Sequence, residues 1–298
     1  MALPTLATFI DEHEGLDRQL REYALTKWGR RLVDDVVVES WTRGGAQELR
    51  ASNSQARIEF LRATLKTFGA SDAVSAASKF FFLTLSPKEF AVPLEEAAGF
   101  DQETIKSWAG GLLGGFHYIG IVEAAYYSNY SSVPGVPGAT VSWHVHAVIW
   151  GCDESSLKAV VQAVNRDYDA LLPGGKPADK RSLSAESVAS KIVYMLKGQV
   201  REYRVYPAKR EEMNEETGEF TTPLTGKWKQ RKRPLRKGDA AKMLKVVGER
   251  TIPMLCFSGG EGAAIWASAQ AHARQVIMEL NDVTECLIGL VSGYAKSA

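Results

Sequence analysis

A chain of 298 residues with 45% hydrophobic and 24% charged residues is a water-borne globular protein with enough apolar material for a large core. Its longest apolar runs, FFFLTL and ECLIGLV, are too short to cross a bilayer, and the start MALPTLATFIDEHEG has neither a basic n-region nor a long apolar core, so neither membrane span nor secretory signal is expected. Three scattered cysteines (Cys152, Cys256, Cys286) fit reduced residues of a cytoplasmic protein better than a zinc site, and the net charge of +1 hides a concentration of +8 between Leu224 and Lys245.

In chain order, residues 1–75 read as a helical N-terminal region: Leu16, Leu20, Tyr23 and Leu25 form a helical stripe, and SQARIEFLRATLKTFG runs to a glycine stop. The texture then changes. KFFFLTLS (79–86), HYIGIVEAAYY (117–127) and TVSWHVHAVIW (140–150) read as strands, the last two joined by the Pro/Gly-rich loop 128–139. Two amphipathic helices follow, at 154–172 and 184–199, the second with Ser184 as N-cap. Residues 207–238 look like a polar, mobile excursion that ends in a basic run, and 239–298 read as a helical C-terminal region. The expected class is α+β: a central antiparallel sheet of about five strands, with helices on one face.

Strand side chains alternate, so His144 and His146 project from one face. If the hairpin pairs symmetrically about positions 133 and 134, Glu123 lies opposite His144. Two imidazoles and a carboxylate with open positions suit a divalent ion, Mn²⁺ or Mg²⁺. H-x-H alone is a weak motif, and two structural histidines are the competing reading. On the helix 184–199, Ser187, Ser190, Lys191, Tyr194, Lys197 and Arg201 share a face, while Val188, Ile192 and Met195 fall opposite. A tyrosine on a cationic face, beside a metal, has its phenolate favoured and can act as a nucleophile on a phosphodiester. The alternative is a surface tyrosine with no such role.

FFFLTLS (80–86), then HVH (144–146) on a strand, then Tyr194-Met-Leu-Lys197 on a helix resemble, in order, the three motifs of HUH endonucleases, U being a bulky apolar residue. The order is that of rolling-circle replication initiators of the plasmid Rep kind, and the resemblance spans residues 76–206. It implies an RRM-like nuclease core in which His144, His146 and Glu123 bind metal, Tyr194 is the nucleophile and Lys197 its partner. Thr84, Lys191 and Arg201 would touch DNA, as would the basic stretch Lys227, Trp228, Lys229, Arg231, Lys232 and Arg233. The implied activity is nicking and rejoining of single-stranded or hairpin origin DNA through a 5′-phosphotyrosine, in the cytoplasm of a prokaryotic host. Tyr203, nine residues on and half-way round a continued helix, is not expected at the site, and no residue stands out for activating water at termination. With no GxxxxGK[ST] motif, a host helicase and polymerase would be partners; oligomeric state is left open. A transposase, a conjugative relaxase, or a non-catalytic DNA-binding replication regulator are the alternatives.

Overall fold

The structure is a computed structural model that describes residues 4–33, 41, 43–133, 138–213 and 220–296. Parts of the expected helical region (34–40), hairpin loop (134–137) and polar excursion (214–219) lie outside the described residues. Ten strands are present among the described residues: β1 (Phe80–Leu85), β2 (Ala91–Pro93), β3 (His117–Tyr127), β4 (Thr140–Trp150), β5 (Ala178–Leu183), β6 (Arg201–Lys209), β7 (Glu212–Met213), β8 (Phe220–Thr221), β9 (Leu224–Pro234) and β10 (Cys256–Gly259). The longer helices are α1 (Leu6–Ala24), α2 (Ser54–Gly69), α3 (Gln102–Leu112), α4 (Glu154–Asp167), α5 (Ala185–Leu196), α6 (Lys237–Val247) and α7 (Gly262–Lys296).

Eight strands make one sheet in the order β5-β1-β4-β3-β6-β9, with β2 added to β4 and β10 to β3; β7 and β8 pair separately. The long hairpin is the centre. β3 and β4 pair antiparallel along all eleven residues, and Glu123 lies opposite His144, as hairpin symmetry requires. The expectation of a purely antiparallel, roughly five-stranded sheet is corrected here: β6 runs parallel to β3, through Tyr126↔Glu202 and Tyr127↔Tyr203. The cause is topological. The chain leaves β5 at one edge of the sheet and enters β6 on the other side of β1, β4 and β3, so the connection must cross the sheet. That crossing is α5, packed over β1, β4 and β3.

Helices on one face is also corrected, because both faces are covered. On the face of the even-numbered β4 residues lie α5 and α2; Phe68 of α2 meets both Phe80 and Trp150. The opposite face carries α3 and α6: Trp108 packs edge-on to Phe90, Phe100 stacks on Trp143, and Tyr126 donates to Asp239 of α6. All eleven residues of β4 are therefore buried, which explains why its sequence is apolar on both sides except where chemistry intrudes. The N- and C-terminal helical regions are parts of this same core: α2 packs along α7, and Phe60 rests on Trp266. Leu224–Pro234, expected as part of a mobile excursion, is an edge strand paired antiparallel to β6.

Candidate functional site

His144 and His146 point from β4 towards α5, and Glu123 points the same way from β3. The Glu123 Oε2 atom is 3.8 Å from His144 Nε2 and 3.5 Å from His146 Nε2, and the two Nε2 atoms are 3.2 Å apart. All three residues are at most 5% exposed. The other ring nitrogens are fixed from behind: His144 Nδ1 lies 3.2 Å from the Ser142 carbonyl, and His146 Nδ1 lies 2.9 Å from Thr84 Oγ1. A carbonyl only accepts, so His144 carries its proton on Nδ1 and turns the Nε2 lone pair inward. The Thr84 hydroxyl can either donate to or accept from His146; in the tautomer in which it accepts, two lone pairs and a carboxylate converge on one point, the arrangement of metal ligands held by outer hydrogen bonds. Among the described residues this is the group of three ligating side chains that could hold a metal ion.

The protonation states agree with that role. Burial lowers the pKa of His144, with Glu123 acting against it, and burial followed by the nearby charges of His144, Lys197 and Lys232 takes His146 well below the ordinary imidazole value. Both rings are therefore neutral near pH 7 and need lose no proton to ligate. Burial pushes Glu123 up, but Lys197, His144 and Lys232 together hold it below the ordinary carboxylate value.

Tyr194 reaches the same place from α5. Its ring packs edge-on against Phe82 and His146, with centroids 5.8 and 5.3 Å away. Three ammonium groups surround it: Lys197 at 4.3 Å, Lys232 at 4.6 Å and Lys191 at 5.6 Å from the ring centre. Lys232 Nζ also donates to the Tyr194 hydroxyl at 2.6 Å. Burial raises the phenol's pKa, but Lys197 and Lys232 outweigh it and bring Tyr194 below its ordinary value. Tyr203 is the contrast. It faces the same cluster from β6, yet burial, Glu123 and Tyr194 hold its phenol well above 10. Of the two neighbouring phenols, Tyr194 is the one prepared to ionise.

Lys197, the C-cap of α5, hydrogen-bonds both carboxylate oxygens of Glu123, the Oε1 contact at 2.6 Å. Gly198 follows with φ of +62°, a conformation that ends the helix and suits glycine. A Cβ there would lie 2.5 Å from Cζ of Arg57, whose buried guanidinium donates to the carbonyls of Ala51 and Leu196 and to Gln199. Arg57 thus clamps the end of the helix that presents Tyr194 and Lys197.

The remaining expected residues divide. Thr84 and Lys191 are at the site. Arg201 is not on the Tyr194 helix face: the helix has already ended, and Arg201 opens β6 and pairs with Glu12 of α1. Within β9, Lys232 reaches Tyr194, Trp228 joins a small apolar cluster with Tyr127, Tyr130 and Tyr203, and Lys227 lays its stem on Gly174. Lys229, Arg231 and Arg233 are exposed. Sequence reasoning missed the Lys232–Tyr194 contact and the Tyr203 neighbourhood. The signal was the alternation of cations at 227, 229, 231 and 233, a period of two from which Lys232 stands out on the other face. No helix among the described residues is long and apolar enough to cross a membrane. No protein-family model, curated protein or solved structure matches the chain.

Proposed function

We propose that this chain is a metal-dependent tyrosine DNA endonuclease and strand transferase, acting as a rolling-circle replication initiator of the HUH kind. One observation carries the reading: a buried Glu-His-His group and a phenol held between two lysines lie in contact on one sheet face. Mn²⁺ or Mg²⁺ on Glu123, His144 and His146 would withdraw charge from a bound phosphodiester. Lys232, bonded to the Tyr194 hydroxyl, and Lys197, beside its ring, favour loss of the phenol proton, and both ammonium groups would meet phosphate oxygens. Attack forms the Tyr194 Oη–phosphorus bond and breaks the bond from phosphorus to the 3′ oxygen, which leaves and is protonated to a 3′-hydroxyl. The 5′-phosphate stays on Tyr194, so the bond energy is kept and the reverse reaction rejoins the strand. Single-stranded or hairpin origin DNA is the substrate of this reading, with a host helicase and polymerase as partners.

The second reading is a non-catalytic DNA-binding regulator. It is favoured by the engagement of both Glu123 oxygens with Lys197, which gives the carboxylate a purely structural partner. Covalent capture separates the two. The chain is incubated with single-stranded origin DNA and Mn²⁺ and run on a denaturing gel. A shifted protein–DNA species that disappears in Tyr194→Phe is expected; no shift, or one that survives the substitution, removes the nuclease reading.

A further inference from the structure

β9 is a cationic strand whose side chains go to two different places. Lys232, Gln230 and Trp228 face the triad side, where Lys232 meets Tyr194, Gln230 accepts from the Tyr127 hydroxyl and Trp228 packs in the aromatic cluster. The odd-numbered Lys229, Arg231 and Arg233 project to the far side of the sheet and are exposed. The neighbouring strand adds to them. In the β6–β9 register Arg204 lies directly opposite Arg231, and Tyr206 opposite Lys229.

Four cations and one tyrosine thus share this far face. Its one acid, Glu202, is 1% exposed and opposite Arg233, so one carboxylate stands against four cations. None of Arg204, Lys229, Arg231 or Arg233 is ion-paired with a described residue, whereas Lys180, Lys197, Arg201 and Lys237 all are. Like charges placed directly opposite across a ladder oppose folding, so the Arg204–Arg231 pair is costly to keep unless an anion neutralises it. Helix α6 meets this side of the sheet at Tyr126 of β3, whose hydroxyl donates to Asp239, and Glu202 beside it on β6 is buried, whereas Lys229, Arg231 and Arg233 of β9 remain exposed. Between β6 and β9 is a shallow recess of about 300 Å³ lined by Asn129, Arg204, Val205, Tyr206, Arg231 and Arg233.

We infer that the far face of the β6–β9 ribbon, built on Arg204, Lys229, Arg231 and Arg233, is a docking surface for the phosphate backbone of double-stranded DNA. Successive cations on β9 are about 6.7 Å apart and the two strands about 4.8 Å apart, so the face is a compact grid of positive charge. Duplex is the occupant because the surface offers charge without base platforms. Tyr206, 45% exposed, is its one aromatic side chain, whereas binding of single strands relies on several aromatics in a groove. A polyphosphate backbone with its bases stacked inside asks only for cations. The aromatic cluster of Tyr127, Tyr130, Tyr203 and Trp228 lies on the other side of the ribbon, with Tyr194. The edge strand therefore separates two nucleic-acid surfaces, one against the triad and one behind it. The charge argument is independent of nicking chemistry; the role of the surface in holding duplex beside a strand being cut rests on the function proposed above.

The test is binding of the full chain to a labelled duplex of arbitrary sequence, and to one of its strands alone, by fluorescence anisotropy over a salt series. In a variant carrying Arg204→Gln, Arg231→Gln and Arg233→Gln, the slope of log affinity against log salt on duplex should become shallower by roughly 2 to 3, about 0.9 for each phosphate no longer neutralised. On the single strand the slope should change by less than about 1. Arg231→Gln alone, which relieves a like-charge pair, keeps the test available if the triple variant folds poorly; it should remove about 0.9 on duplex. An unchanged duplex slope overturns the surface, and an equal change on both probes overturns duplex as its occupant. Covalent capture by the unsubstituted protein is scored separately. Failure of capture removes the nuclease reading and leaves this surface standing; an unchanged slope does the reverse.

Discussion

Thr84 shows how one small side chain determines what an imidazole can do. Its hydroxyl is 2.9 Å from His146 Nδ1, on the side of the ring away from Glu123. Replacing it by valine keeps the shape and removes the hydrogen bond that orients the ring. Thr84→Val is expected to lower Mn²⁺ affinity about 10- to 100-fold by titration calorimetry, the usual cost of an outer hydrogen bond to a ligating histidine. Unchanged affinity would mean that His146 is held by packing on Phe82 alone. At this scale much was legible. The hairpin's symmetry put Glu123 opposite His144, and the polar helix face marked Tyr194, because pairing and helical periodicity are local rules. Arg201 does not share that helix face, because the helix stops before Gly198, whose φ is +62°, and the 3.6-residue period does not carry past it. Lys232 was visible only as one cation in a run; its contact with Tyr194 depends on which strand β9 joins, a long-range fact.

Helix α5 is the element on which the site depends, and its C-terminal end is held by Arg57 from α2. The guanidinium is fully buried; burial brings it down to about 10, so it stays charged, and it satisfies the carbonyls of Ala51 and Leu196. Arg57→Met would leave those carbonyls without donors in a dry interior. The expected loss is about 2–4 kcal/mol in urea unfolding, from two unsatisfied buried acceptors. A loss below about 0.5 kcal/mol would show that α5 is anchored by its apolar face without help from Arg57. Strand β9 teaches the opposite lesson about patterning. The cations at 227, 229, 231 and 233 alternate as a strand's should, but Lys232 interrupts the period and the charge density makes the segment look mobile. On the sheet, its even positions serve the Tyr194 side and its odd positions the far face. An edge strand can be this polar because one side of it meets only solvent or a charged partner.

For the molecule as a whole, an α+β class and the three strands at 80–85, 117–127 and 140–150 could be read from composition and period. The mixed sheet, helices on both faces and the docking of residues 1–75 and 239–298 into one core could not, because each follows from contacts between distant segments. Phe60 on Trp266 leaves no trace in either local pattern. The consequence is that the triad and Tyr194 are roofed by a crossover helix whose own support comes from the N-terminal region, so the site belongs to the entire fold. In the proposed reaction Tyr194 becomes the covalent carrier of a DNA 5′-phosphate. The most direct measurement is mass spectrometry of the peptide containing residue 194, after Mn²⁺-dependent reaction with single-stranded origin DNA and digestion with nuclease and protease. A nucleotide 5′-phosphate on Tyr194 is expected, with a 3′-hydroxyl on the released fragment. An unmodified Tyr194 peptide, or a nucleotide on Tyr203 or another residue, would contradict the proposed reaction.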